Sequence, residues 1–360
     1  MSLPTHGANP ATFLQAIGKK NTKQMIDFSV NTNPLGAPKT LHEKWNDMKE
    51  FAFLYPDPEA ASLTEKIADH HQVTSEEVLP TNGAAEAFFL VASLFSSQKV
   101  AILQPTFVEY EQASHAFGCK IVHIPLDADN GWNWDIKRLK DVLPTVSALW
   151  ICHPNNPTGV TYQAEQWIEL IEAAKKEKTY LIIDEAFIDF VDSHFSFDSF
   201  VRTYSHLIVV RSMTKMFNIA GIRLGYVLAN SSLIKQLKIS QPPWSVNGIA
   251  QRAGTICLNE TAFVKQTVSY IKKERERVLQ QLSDWGFSVS PSVTNYYICS
   301  VPKEWESREW LMYLAENGIV ARHTENFLFL KGKYLRFAVK TKQENDVLLA
   351  VIRKGLDERC

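Results

Sequence analysis

The sequence predicts an α/β protein with a larger domain built on a mixed, mostly parallel sheet and a smaller α+β domain beside it. Three observations lead there. Short apolar runs alternate with helix-like stretches through the middle of the chain, the texture changes after about residue 250, and 360 residues with 45% hydrophobic content suffice to bury a large core. The boundaries read from these changes are 48–250 for the larger domain, with 1–47 and 251–360 together forming the smaller one.

The first 45 residues show little strand–helix alternation and are expected to pack with the smaller domain. From residue 83 the alternation begins. A Gly-led helical stretch, "NGAAEAFF" (82–89), precedes "KVAILQP" (99–105), and a helix over 107–117 leads to "CKIVHIP" (119–125). "VSALWIC" (146–152), a helix over 163–177, "TYLIIDE" (179–185), "HLIVVRS" (206–212) and "RLGYVLA" (223–229) follow. Continuous β-branched and aromatic runs bounded by turn residues suit strands covered on both faces. After residue 250 come a polar-faced helix over 260–285, a strand in "TNYYICSV" (294–301), a helix over 306–317, a strand in "KYLRFAV" (333–339) and a final helix.

Charge and cysteine content narrow the function. Thirty-eight Lys and Arg against 39 Asp and Glu leave a net charge of −1, so the chain carries no basic field for nucleic acid or a membrane surface, and a small-molecule partner is favoured. Five widely spaced cysteines without a CxxC pair indicate neither a disulfide framework nor a zinc site, and fit a reducing cytoplasm. No HExxH occurs, so no metal is expected. The N-terminus "MSLPTHGANP" lacks a basic segment followed by an apolar stretch, and no run approaches the roughly 18 apolar residues of a membrane span. An unprocessed cytoplasmic protein is expected.

In open α/β sheets the ligand lies beyond the carboxyl ends of the strands, so polar residues directly after apolar runs are the candidates for chemistry. Four groups stand there in order. "ALWICHPNNPTG" ends on an Asn-rich turn with Asn156, "YLIIDEAF" ends on Asp184, "RSMTK" places Ser212, Thr214 and Lys215 after the next run, and Arg223 follows Lys215 by eight residues.

This ordered set resembles the pyridoxal-phosphate enzymes of the aspartate-aminotransferase-like superfamily, fold type I, over nearly the whole chain. The resemblance implies pyridoxal 5'-phosphate as cofactor, with Lys215 as its Schiff-base residue and Asp184 pairing with the protonated ring nitrogen. Asn156 would donate to the ring's phenolic oxygen. Ser212, Thr214 and Arg223, with backbone N–H groups of Gly83, Ala84 and Ala85, would take the cofactor phosphate. Phe107 holds the position at which the superfamily stacks an aromatic ring on the cofactor.

Within the superfamily, "FLYPDPEAASL" (53–63) is similar to the histidinol-phosphate aminotransferases, in which the tyrosine reaches the neighbouring subunit's cofactor phosphate. That makes Tyr55 an intersubunit ligand and the active unit a homodimer. "THGANP" (5–10), "DFSVNTNPLG" (27–36), "FVEYEQASHAFGC" (107–119), "DEAFIDF" (184–190) and "PPWSVNGIAQ" (242–251) resemble the threonine-phosphate decarboxylases of cobalamin biosynthesis. Phe187 fits that branch, since the aminotransferases carry a tyrosine there; Ala8 departs from the branch's His-Gly-Gly-Asn start.

The implied reaction is decarboxylation of L-threonine O-3-phosphate to (R)-1-amino-2-propanol O-2-phosphate and CO2. Arg336 would bind the substrate α-carboxylate by a two-point fork, Arg322 and His6 its phosphate, and Asn33 would sit on a loop over the site. The alternatives are an aminotransferase for a phosphorylated substrate such as histidinol phosphate, and a silent binding or regulatory protein on the same fold.

Overall fold

The computed structural model describes residues 3–5, 7, 9–19, 25–193, 195–198 and 200–358. A two-residue strand, β1 (Ile26–Asp27), precedes the main sheet, whose strands are β2 (Val78–Thr81), β3 (Lys99–Gln104), β4 (Lys120–Pro125), β5 (Ala148–Cys152), β6 (Tyr180–Asp184), β7 (Leu207–Ser212) and β8 (Gly225–Ala229). They lie in the order β2-β8-β7-β6-β5-β3-β4. Strands β3 to β7 pair in parallel, whereas β8 is antiparallel to β7 and β2 antiparallel to β8.

The apolar runs are continuous because helices cover both faces, and alternation along each strand divides the residues between two cores. Trp150, Ile182 and Ile208 face Phe88 and Tyr110 of the helices 83–93 and 109–116. Their neighbours Ile151, Ile183 and Val209 face the opposite way, in the core that contains Trp167 and Leu170 of the helix 164–177. This period of two carries Cys152, Asp184 and Ser212 onto the first face, at the strand ends.

A second region holds the three-stranded antiparallel sheet β11-β12-β9, made of β9 (Tyr296–Ser300), β11 (Arg322–His323) and β12 (Tyr334–Ala338). Between β9 and β11 the short β10 (Ile319–Val320) pairs in parallel with β1. Phe28 ties the N-terminal segment in twice: its N–H donates to Val320 O at 2.8 Å and its carbonyl accepts from Ala338 N at 2.9 Å. The helices 261–284, 307–316 and 342–357 complete this region. The last begins at a reciprocal cap, in which Glu344 N donates to Thr341 Oγ1 and Thr341 N to Glu344 Oε2. Among the described residues no helix is long and apolar enough to cross a membrane.

Candidate active site

The carboxyl ends of β5, β6 and β7 open onto a cavity of about 240 Å3. Lys215, Asp184 and Asn156 line it, and so do Ser212, Thr214 and Arg223. Ala84, Ala85, Phe107 and Arg336 contribute further walls.

Lys215 lies in the tight turn after β7. Burial pushes its ammonium down to about 8, and the charges of Arg336 and Arg223 add to that, against the opposing pull of Glu109 and Asp184. A primary amine in this state is available as a nucleophile near neutral pH. Asp184 is fully enclosed. Its Oδ1 accepts from Ala186 N at 2.9 Å and its Oδ2 from the Tyr110 hydroxyl. Burial raises it to about 6 despite those donors and Lys215.

The Asn-rich turn divides its labour between adjacent residues. Asn155 holds the loop, taking the Thr158 hydroxyl on Oδ1 at 2.7 Å and donating to Pro105 O at 3.1 Å. Asn156 is thereby presented to the cavity, where its Oδ1 accepts from Arg336 Nη1 at 2.6 Å. Arg336 also donates to Ser29 O at 2.8 Å, lies 5.5 Å from the centroid of the Tyr296 ring, and leaves its buried Nε without a partner.

Gly83 begins the helix 83–93, whose N-terminal N–H groups point toward the side on which Ala84 and Ala85 line the cavity. It adopts φ +75°, and a Cβ there would stand 2.5 Å from Arg223 Nη2. Only glycine brings the helix start and that guanidinium together. Ser212 Oγ and Thr214 Oγ1 are 2.8 Å apart, giving hydroxyls beside the same helix end. A cluster of helix N–H groups, two hydroxyls and an arginine is the donor set a phosphate requires, and it meets a lysine and a buried carboxylate across one cavity. These residues fit pyridoxal phosphate.

Other expectations turn out differently. Asn33 does not line the cavity. Its N–H donates to Lys215 O at 3.0 Å, and its side-chain amide donates to Met216 O at 2.8 Å and Thr267 Oγ1 at 2.9 Å. Two residues earlier, Asn31 is the one facing the cavity, with a buried Nδ2 that has no partner. The loop turns between them, so one amide is consumed by the main chain and the other is presented. His6 lies outside the described residues.

Arg322 is buried but does not line the cavity wall. It donates to His323 O at 2.8 Å, Thr5 O at 2.5 Å and Asn326 Oδ1 at 2.7 Å, and its ring neighbour is Phe327 at 5.2 Å. It stands directly opposite Arg336 in the β11–β12 register. Burial, reinforced by Arg336, pushes Arg322 down to about 9, and burial pushes Arg336 down to about 10. Among the described residues neither guanidinium is in a salt bridge with a carboxylate.

Tyr55 is 87% exposed, stacked obliquely on Trp244 at 5.5 Å and away from this chain's own Lys215 cavity. Phe187 lines the cavity with its ring edge-on to Tyr296 at 4.8 Å, so this wall carries no hydroxyl. Asn31 and Glu109, which line the cavity, and Tyr110, which does not, are not among the residues singled out from the sequence. Glu109 lines the cavity, where burial raises it to about 7, helped by the Asp184 charge and opposed by Lys215 and Arg322. Its signal was available in the placement of "VEY" directly after Phe107.

The model of the family described as aminotransferase class I and II matches residues 23–352. The threonine-phosphate decarboxylase of Salmonella typhimurium is 32% identical over 98% of this chain and 96% of its own. The crystal structure of the histidinol-phosphate aminotransferase from Clostridium acetobutylicum superimposes with a TM-score of 0.88 at 31% identity, covering 93% of this chain and all of that one. At 23% identity, the aspartate aminotransferase of Thermus thermophilus with maleate shares the fold, with a TM-score of 0.82 over 94% of this chain and 92% of that one. The fold is that of the aminotransferases of fold type I. With the family model spanning most of its length and a relative of this identity along nearly all of it, the chain belongs to the aminotransferase class I and II family.

Proposed function

We propose that this protein binds pyridoxal 5'-phosphate and decarboxylates L-threonine O-3-phosphate to (R)-1-amino-2-propanol O-2-phosphate and CO2. The observation that carries the reading is the facing pair Arg322 and Arg336. Two guanidinium groups opposite each other in a buried antiparallel ladder repel, and among the described residues they bond only to neutral acceptors. A substrate bearing a carboxylate and a phosphate on one small skeleton, bound at the cavity-lining Arg336, would lie in the field of both charges. Histidinol phosphate has the phosphate and no carboxylate. The 32% identity to a threonine-phosphate decarboxylase and the hydroxyl-free Phe187 support the same choice.

When bound, the cofactor supplies the sink for the electron pair left as CO2 departs. Lys215 would hold its aldehyde carbon, Asp184 its ring nitrogen and Asn156 its phenolic oxygen. Ser212, Thr214, Arg223 and the start of the helix 83–93 would hold its phosphate. Phe107 would pack on the ring. Arg336 would orient the substrate carboxylate so that the bond to Cα breaks in the productive direction, while the Lys215 ammonium would return a proton to Cα.

A homodimer is part of this reading. Phe53, 81% exposed, and Tyr55 form a protruding apolar stretch beside the partly exposed Trp244, and a second copy would cover it while Tyr55 reaches the copy's cofactor phosphate.

The deciding experiment supplies L-threonine O-3-phosphate alone and, separately, histidinol phosphate with 2-oxoglutarate. CO2 and aminopropanol phosphate are expected in the first case and little glutamate in the second. Robust glutamate formation without CO2 release overturns the reading in favour of transamination, which the similarity to a histidinol-phosphate aminotransferase makes the second candidate.

A further inference from the structure

Tyr110 follows Glu109 on the first turn of the helix 109–116, yet its side chain does not line the cavity. The ring is fully buried, stacked on Trp150 with centroids 5.4 Å apart and planes 16° apart, and set edge-on to Phe88 at 5.0 Å. This packing fixes where the hydroxyl points. It donates to Asp184 Oδ2, while Asp184 Oδ1 takes the Ala186 N–H. Each oxygen of the carboxylate is engaged by a partner of different origin, a distant helix on one side and the following backbone on the other, so the carboxylate plane cannot rotate without losing one of them.

The surroundings decide the charge of this group as well. Burial favours the neutral acid, and Tyr110 comes first among the groups that oppose it, ahead of the Ala186 N–H and Lys215. The phenol itself stays a donor, because burial and the Asp184 charge push its own ionisation well above the usual range. On the adjoining strand Cys152, level with Asp184, is held as a thiol by burial. The other titratable groups facing Asp184 are Glu109 from the start of the helix, Lys215 from the turn after β7, and Tyr296 from β9, whose phenol burial also keeps protonated.

We propose that Tyr110 is a positioning residue for Asp184: its hydroxyl fixes the rotation of that carboxylate and keeps it ionised where the cofactor's ring nitrogen would meet it. The proposal rests on the cofactor reading given above. Without the phenol, Asp184 competes more strongly for the proton shared with the ring nitrogen, and the electron sink weakens even though every cavity-lining residue stays in place.

The test uses the holoenzyme and Tyr110→Phe, which keeps the ring and its stacking on Trp150. The kcat for L-threonine O-3-phosphate should fall on the order of tenfold with KM changed by less than about twofold. The acid limb of the kcat profile should move to higher pH by about one unit, since the carboxylate now gains its proton sooner. In protein reconstituted with 15N-labelled pyridoxal phosphate, the ring-nitrogen signal at pH 7 should move toward its unprotonated position.

Replacing Tyr110 by 3,5-difluorotyrosine keeps the shape and strengthens the donor, so nitrogen signal and acid limb should move the opposite way; this second variant decides the matter if Tyr110→Phe folds poorly. An unchanged nitrogen signal and acid limb, with only a lowered melting temperature, overturns the role of Tyr110 and leaves the cofactor reading intact. A wild-type protein that shows no pyridoxal absorbance and no borohydride-trapped adduct overturns both.

Discussion

The cavity has two unlike ends. At the rim of the main sheet, Asp184 ends its strand while Lys215 and Asn156 stand three and four residues beyond theirs, held by local turns and by short-range partners such as Ala186 N–H and the Asn155–Thr158 bond. Positive and negative groups alternate there, with Lys215 set against Asp184 and Glu109. At the β11–β12 ladder, Arg336 lines the cavity and Arg322 faces it from outside the lining, with carbonyl and amide oxygens as their acceptors, drawn from Thr5, Ser29 and Asn156 across the chain. The first end is electrically balanced before anything binds. At the second, no carboxylate among the described residues forms a salt bridge with either guanidinium, although Glu109 acts on Arg322 and Asp27 on Arg336. On the proposed reading, the first end would hold a resident group and the second would receive an arriving anion.

That contrast can be broken experimentally, beginning where the expected effect is largest. Lys215→Ala should lower turnover on the order of 10^4-fold and abolish the borohydride-trapped pyridoxyl adduct, read by mass spectrometry of the peptide carrying residue 215. An adduct on another lysine would remove Lys215 from its place at the balanced end. Asp184→Ala should cost kcat on the order of 10^2-fold or more while the protein stays folded, because the lost charge acts mainly in the transition state. Near-normal kcat in that variant contradicts the assignment.

A smaller effect separates the two ends directly. Arg322→Gln should raise KM for L-threonine O-3-phosphate by about tenfold or more and leave cofactor affinity unchanged, since it removes surplus charge from the ladder alone. Equal losses of substrate and cofactor binding would show that the ends are not independent.

The smallest expected change is a titration. In the apoprotein, aldehyde capture by Lys215 should rise with pH and level off above about 8, because only the neutral amine attacks. Arg336→Gln removes the largest charge contribution to that lowering, so the midpoint should move upward by less than about one unit. A downward movement would mean that Arg336 does not act on the lysine through its charge.

Legibility in the sequence follows the same division. Strands β3 and β5 to β8 are readable because each is a buried apolar run sealed by helices on both faces, the half-buried edge strand β4 by its β-branched residues, and Asp184 because it ends such a run. The antiparallel direction of β8 was not, since a run of buried residues is the same in either direction. β2 was missed because four residues with Pro80 among them make no periodic signal. Within "NTN" nothing local says which asparagine turns inward; Asn33 is claimed by Met216 and Thr267, 183 and 234 residues away in sequence. Tyr110 and Asp184 meet across 74 residues, through a packing geometry set by Trp150 and Phe88 rather than by any motif.

The bonds of Asn33 have a mechanical consequence. Its N–H grips the carbonyl of Lys215 and its amide grips the carbonyl of the next residue, while the same amide reaches Thr267 on the helix 261–284. The main chain that carries Lys215 is thus stitched to the N-terminal loop and, through it, to a long helix of the second region. A displacement of that helix relative to the main sheet would therefore either carry the Lys215 backbone along or break one of these bonds.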